Sequence, residues 1–130
     1  MGTASDVVNA FVTAIEAEDI EAALALVTDD VSYENMPIDP IVGKDAMGAV
    51  LAGFLASAVE VDWQVLRQHE IGALVVNERL DRFRIGDGWL ELPVAGFFEV
   101  TADGLISRWR DYFDMATYTT QLQALSPEPD

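Results

Sequence analysis

Alternation along Asn77-Glu78-Arg79-Leu80-Asp81 is that of a β-strand, so Arg79 and Asp81 project from one face. A second carboxylate, Asp111, lies in another alternating run, Ser107 to Phe113, and shares its face with Trp109 and Phe113. A third run, Val31 to Met36, places Val31, Tyr33 and Asn35 together. If these faces line one cavity, two acids and one guanidinium meet in a chamber walled by apolar side chains. There burial raises a carboxyl pKa and a neighbouring cation lowers it, so the two acids can be held in different protonation states. Such a pair can deliver one proton and remove another in a single step. Taken alone, an arginine flanked by acids on a strand reads as a surface ion pair; its coincidence with Asp111, Tyr33 and Asn35 turns the reading toward a site.

The elements that must position these residues follow from periodicity. Val7, Val8, Phe11, Val12 and Ile15 recur at helical spacing after Thr3 and Ser5, either of which can cap a helix. Asp19 caps a second, short helix with Ile20, Ala23, Leu24 and Val27 inward, and Thr28-Asp29-Asp30 breaks it. The strand from Val31 ends at Pro37 and Pro40, and Gly43-Lys44-Asp45 opens a third helix bearing Met47, Val50, Leu51, Phe54 and Leu55. Four strands then form a meander: Val59 to Leu66, Ala73 to Ile85, Trp89 to Val100 and Leu105 to Phe113. Gly86-Asp87-Gly88 and Ala102-Asp103-Gly104 supply its tight turns. A short helix over Met115 to Leu125 and a frayed tail over 126–130 complete one domain spanning 1–130. Helices first and antiparallel strands afterwards predict an α+β fold, a curved antiparallel or mixed sheet covered on one face by helices around a cone-shaped pocket.

Composition narrows the function. Hydrophobic residues are 51% of the 130 and charged residues 23%, with neither a long apolar run nor a basic start followed by one, which reads as a soluble cytoplasmic protein. Seven Lys+Arg against 23 Asp+Glu give a net charge of −16, repelling nucleic acid and anionic membranes alike. Cysteine is absent, which removes thiolate nucleophiles, disulfides and cysteine-bound zinc. His69 is the single histidine, and no Gly-x-Ser-x-Gly elbow exists to build a serine triad with it. One histidine and no cysteine leave little for a metal. The strand from Trp89 to Val100 is apolar on both faces, with Leu90, Leu92, Val94 and Phe98 on one and Trp89, Pro93, Ala95 and Phe97 on the other. Helices cover one face, and a second subunit is expected on the other, as a homodimer.

Tyr33-Glu34-Asn35-Met36-Pro37, Glu78-Arg79-Leu80-Asp81 and Trp109-Arg110-Asp111-Tyr112-Phe113-Asp114, in this order between Asp6 and about Met115, resemble the limonene-1,2-epoxide hydrolase family. That family belongs to the nuclear-transport-factor-2-like (NTF2-like), or SnoaL-like, superfamily of α+β cones. The resemblance implies that Asp111 is a general base acting on a water held by Tyr33 and Asn35. It implies that Asp81 is the general acid for the epoxide oxygen, with Arg79 between the two carboxylates. Neither cofactor, metal nor covalent intermediate is required, and the partners are a small terpene-like or lipid-like epoxide and water, giving a vicinal diol. Candidates for the apolar, substrate-binding wall are Met36, Leu51, Leu55, Trp63, Leu74, Val94, Phe97 and Phe113, with Trp109 placed to touch substrate.

Two other functions fit the same cone. An isomerase or cyclase could move a proton beside a carbonyl with an interior aspartate and a tyrosine, but would need neither a held water nor a bridging arginine. A non-catalytic module for hydrophobic ligands would have no use for two facing carboxylates, which are costly to bury unpaired.

Overall fold

The structure, a computed structural model, describes residues 3–125; the expected tail at 126–130 lies outside the described residues. Its first helix, α1 (Ala4–Glu16), is opened by a reciprocal cap in which Thr3 Oγ1 accepts from the Asp6 amide and Asp6 Oδ2 accepts from the Thr3 amide. Val8, Phe11, Val12 and Ile15 form its buried stripe. Asp19 caps α2 (Ile20–Leu24), where only Ala23 is fully buried.

Val27 does not belong to that helix. It opens β1 (Val27–Asn35), paired with Ile106, and the expected breaker Thr28-Asp29-Asp30 is carried within the strand, its two aspartates exposed at a register shift. Pro37 and Pro40 flank a turn before β2 (Ile41–Val42), a two-residue strand too short to leave a periodic signal. Gly43, at φ +104°, caps α3 (Lys44–Leu55), which buries Met47, Gly48, Leu51 and Leu55.

The meander is as expected in order and longer at its start: β3 (Glu60–Ile71), β4 (Leu74–Ile85), β5 (Gly88–Val100) and β6 (Ile106–Tyr112), followed by α4 (Met115–Leu125). Gly86 and Gly104 take positive φ in the turns after β4 and β5. β3 runs on past Leu66 because a bulge between Val65 and Arg67 restores its pairing with β4. The six strands lie in the order β2-β1-β6-β5-β4-β3, all antiparallel except β1, which runs parallel to β6. Among the described residues the first strand is thus joined to the last.

α1, α2 and α3 cover the inner face of this curved sheet. There Phe98 stacks on Trp109 at 5.8 Å between ring centroids, Tyr33 stacks on the same indole at 4.4 Å, and Phe11 meets it edge-on at 5.0 Å. Helix α1 is further tied to β3 where Glu70 accepts from the Ser5 amide (2.7 Å) and Glu16 accepts from the Trp63 amide (3.1 Å).

The outer face differs in chemistry. Five of the six arginines stand there in ion pairs: Arg67 with Glu78, Arg82 with Asp62 and Glu91, Arg84 with Glu60, and Arg108 and Arg110 with Glu34. Between them Pro93 and Ala95 are exposed, while Phe97 is half-buried against Tyr112. The sixth arginine, Arg79, points inward and is buried. Among the described residues no helix is long and apolar enough to cross a membrane.

Candidate active site

Period two along β4 sends Asn77, Arg79, Asp81 and Phe83 to the inner face, and all four are buried. On β6 the same alternation turns Trp109 and Asp111 inward. The parallel register of β1 against β6 sets Tyr33 beside Trp109 and Asn35 beside Asp111. Four strands therefore meet in one patch, with β5 lying between the two that carry the acids.

Neighbouring strands are spaced about 4.8 Å apart, so a side chain on β4 must cross roughly 10 Å and pass over β5 to reach β6. Gly96 makes this possible. It stands in register with Asn77 on one side and Asp111 on the other. A Cβ at this position would collide with Arg79 Nη1 and would come within 2.8 Å of Asn77 Oδ1 and 2.9 Å of Asp111 Oδ1. The Arg79 side chain lies through the gap. Its Nε and Nη2 donate to the two oxygens of Asp81 at 2.9 and 3.0 Å, and Nη2 also donates to Asp111 Oδ2 at 2.7 Å. Nη1 donates to Asn77 Oδ1 at 3.0 Å, and Asp111 Oδ1 accepts from the Trp109 indole at 2.7 Å. Aromatic rings sandwich the cation, with Trp63 at 4.9 Å and Phe98 at 5.8 Å from the guanidinium carbon.

The electrostatics follow from one cation shared by two anions in a dry place. Burial lowers the Arg79 pKa, but the charges of Asp111 and Asp81 outweigh it, so the guanidinium stays firmly charged. Burial pushes Asp81 up to about 6; Arg79 pulls against the rise by charge and hydrogen bond, and the Asp111 charge adds to it. Asp111 is also raised, by burial first, against the opposing pull of Arg79 and of the Trp109 hydrogen bond. Together the pair holds a proton more tightly than two free carboxylates would. Burial likewise raises Tyr33, against a hydrogen bond to Asn35, and the Asp111 charge raises it further, which keeps the phenol neutral.

These groups form the polar end of a cavity of about 160 Å³, to which Tyr33, Asn35, Asp81 and Asp111 all contribute. Of the apolar wall expected from sequence, Leu51, Leu55, Trp63, Val94, Trp109 and Phe113 line it. Met36, Leu74 and Phe97 do not. Met36 follows the end of β1, where the chain turns away, and is 43% exposed. Phe97 has the outward parity of Pro93 and Ala95, and together with Leu74 it lines a shallow groove on the outer face. The expectation missed Phe83 and Leu92, although Phe83 shares the Asp81 face by period two and Leu92 opposes Asp81 across the sheet. It also missed Phe54 and Val50, read only as helix-face residues, and Ile38, Met115 and Tyr118, which reach the cavity through a turn and a returning helix that leave no local pattern. His69 stands on β3 opposite Val76, away from the cavity. Among the described residues no cluster of three or more His, Asp or Glu is disposed to hold a metal.

The curved six-stranded mixed sheet covered by helices is the NTF2-like, SnoaL-like α+β fold. Within that class the chain belongs to the limonene-1,2-epoxide hydrolase family, whose catalytic-domain model matches residues 3–124. Epoxide hydrolase EphG of Mycobacterium tuberculosis is 37% identical over 108 residues, 83% of this chain and 71% of that protein. The structure of an M. tuberculosis LEH-like epoxide hydrolase superposes with a TM-score of 0.79 at 32% identity, covering 96% of each chain. A protein from Shewanella denitrificans described as a SnoaL-like polyketide cyclase has the same fold, with a TM-score of 0.79 over 93% of this chain and 97% of its own, at 15% identity.

Two outcomes follow from this geometry. Gly96→Ala should displace Arg79 and lower stability by about 1–3 kcal/mol, because its collision is with a fixed, buried hydrogen-bonded group; chemical denaturation measures it. The second concerns pH. The folded-state pKa of Asp81 lies above its ordinary value of 3.8, so its burial carries no ionisation penalty below about pH 4, and a growing one as pH rises through about 6. Across that window the stability of wild type should fall relative to Asp81→Asn, which has nothing to ionise. A difference that stays constant from about pH 4 to pH 7 would contradict the raised pKa.

Proposed function

We propose that this protein is a cofactor-independent epoxide hydrolase that adds water to a neutral, apolar epoxide in one concerted step, giving a vicinal diol. The observation that carries this reading is the single guanidinium bridging two buried carboxyls at the polar end of an otherwise apolar cavity. A strained ether ring needs a proton on its departing oxygen and a nucleophile at its carbon at the same moment. A carboxyl pair that shares one proton supplies both.

Asp111 accepts a proton from a water held between Tyr33 and Asn35. The water oxygen bonds to one ring carbon, the carbon–oxygen bond breaks, and the departing oxygen takes the proton of Asp81. The two acids end the step with their protonation reversed and their total charge unchanged, so Arg79 balances the pair before and after. Membership of the epoxide hydrolase family and the likeness to EphG support the reaction class. The wall of Leu51, Leu55, Trp63, Val94 and Phe113 supports a terpene-like or lipid-like skeleton. No basic side chain lines the cavity, Arg79 lying behind the two carboxyls with four of its five N–H donors bonded, and the chain carries a net charge of −16. Both favour an uncharged substrate over a carboxylate or phosphate.

The test is a single turnover of a small panel of neutral epoxides in oxygen-18 water. The label should enter the diol at once; unlabelled carboxylate oxygen in the first product would instead establish an aspartyl ester and end the one-step scheme. Asp81→Asn and Asp111→Asn should each lower kcat by about 10²-fold or more, with the double variant no worse than either, since both acids act in one step. Arg79→Lys should be comparably severe, because an ammonium cannot bridge two carboxylates as a planar fork does.

We also propose that a second copy of the chain covers the outer sheet face. Its arginines are all committed to ion pairs with acidic neighbours, which leaves this face nearly neutral in a strongly acidic chain, with Pro93, Ala95 and Tyr112 exposed between the pairs. Two such faces can meet without the repulsion the rest of the surface would impose. Sedimentation equilibrium at micromolar concentration should give a dimer, and Ala95→Glu should yield monomer; a monomeric wild type would exclude the assembly.

A further inference from the structure

Arg79 is held at its far corner by a residue with no part in the chemistry described above. Asn77 is buried, at 2% exposure, and stands two residues before Arg79 on the same inner face of β4. A guanidinium only donates, so the amide must turn its oxygen toward Arg79 Nη1 and its nitrogen away. That nitrogen donates to Gln68 Oε1 at 3.1 Å, and Gln68 Nε2 donates to Asn9 Oδ1 at 2.9 Å on the exposed side of α1. The chain of amides is possible because of the β3 bulge. Without the extra residue between Val65 and Arg67, alternation would turn Arg67 inward and Gln68 outward; with it, Gln68 lies in register with Asn77.

We propose that Asn77 is the positioning residue of this site: its amide oxygen fixes the rotation of the Arg79 guanidinium so that Nη2 is the one nitrogen shared by Asp81 and Asp111. The catalytic consequence rests on the hydrolase reading; the positioning itself does not. With Nη1 pinned, the Nε–Nη2 edge is committed to Asp81 and the remaining Nη2 hydrogen to Asp111. Release of Nη1 would let the planar group swing, place its Nη1–Nη2 fork on Asp111 and leave Asp81 with fewer bonds. The acids would then no longer divide the cation as they do here. A neutral acceptor is required at this corner. An aspartate would make the same hydrogen bond but draw positive charge away from the pair, and both carboxyls would keep their protons to higher pH.

The groups that face the pair define what a pH measurement reads. They are Arg79 on β4, Tyr33 on β1, Glu16 at the end of α1, whose charge reaches Asp81, and Tyr118 on α4, which lines the same cavity. Asp62 acts at one remove, through Glu16. The inward positions of β5 and the cavity-facing side of α3 contribute no charge. Of these groups only Arg79 touches Asn77, so a change at Asn77 reaches the pair through the guanidinium.

The experiment uses Asn77→Leu, which keeps volume and removes the acceptor, and Asn77→Asp, which keeps the acceptor and adds charge. For each, kcat and KM for a neutral epoxide are measured from about pH 4 to pH 9, and the carboxyl groups of Asp81 and Asp111 are titrated directly by carbon-13 NMR. Asn77 does not line the cavity, so Asn77→Leu should lower kcat by about tenfold or more while KM stays within about twofold, with both carboxyl titrations altered. Asn77→Asp should move both titrations, and both limbs of the pH profile, upward by about one unit. Where Asn77→Leu does not fold, Asn77→Asp carries the test alone. Titrations and pH profiles that coincide with wild type, with any lost rate following only the unfolded fraction, would overturn the proposal. Titrations that move in a protein turning over no epoxide would uphold the positioning role and remove the hydrolase reading instead.

Discussion

A cation at the centre of the sheet is the constraint that the rest of this structure satisfies. A guanidinium with its side chain wholly out of water is tolerated only when nearly every donor is matched, and removing one partner of such a buried pair typically costs about 3–5 kcal/mol. Arg79 meets the requirement with two carboxylates, one amide and two aromatic faces. Each partner imposes something on the fold. The reach to Asp111 requires a glycine on the intervening strand, and the amide needs a further polar partner, which the β3 bulge delivers. Conversely, the two aspartates would be untenable this deep without the arginine. None of the three groups could be introduced alone.

Basic residues are few in this chain, and they are divided cleanly. The outer arginines sit in wet ion pairs, each worth little individually, and their main effect is to neutralise a face of an acidic protein. The inner one is dry, and its effect is to keep two acids ionisable. The same side chain therefore serves opposite ends on opposite sides of one sheet, only a few ångströms apart, because the dielectric changes across it.

The polar half of the site was legible because a strand has a period of two. Once Asn77 to Asp81 and Trp109 to Phe113 are read as strands, Arg79, Asp81, Trp109 and Asp111 can only face one way. The fold class was legible for the same reason, from four alternating runs separated by glycine turns. What escaped was anything set by pairing between strands. Gly96 looks like a flaw in an apolar strand until the register places it between Asn77 and Asp111. Phe97 and Leu74 are apolar enough for the pocket, but their parity sets them on the outer face. β1 starts at Val27, four residues before its alternation shows at Val31, because Asp29 and Asp30 read as a loop by composition and are in fact exposed within the strand beside a register shift. The far wall, from Ile38 and Tyr118, depends on where a turn and the last helix come to rest, and that is decided by tertiary packing alone.

The parallel pairing of β1 with β6 joins residues synthesised early to residues synthesised late: Tyr33 and Asn35 wait for Trp109 and Asp111. During translation, a chain that has emerged only as far as β5 holds α1, α3 and most of the sheet, yet β1 has no neighbour on this side and Arg79 lacks its bond to Asp111. Contacts of such sequence separation form slowly, because loop closure must precede any gain from them. Completion of the site and closure of the sheet are therefore one event, and it waits for β6. A nascent or clipped chain lacking β6 cannot be a weakened form of this protein, since what remains has an unsheltered strand edge and a buried guanidinium with an unmatched donor at its heart.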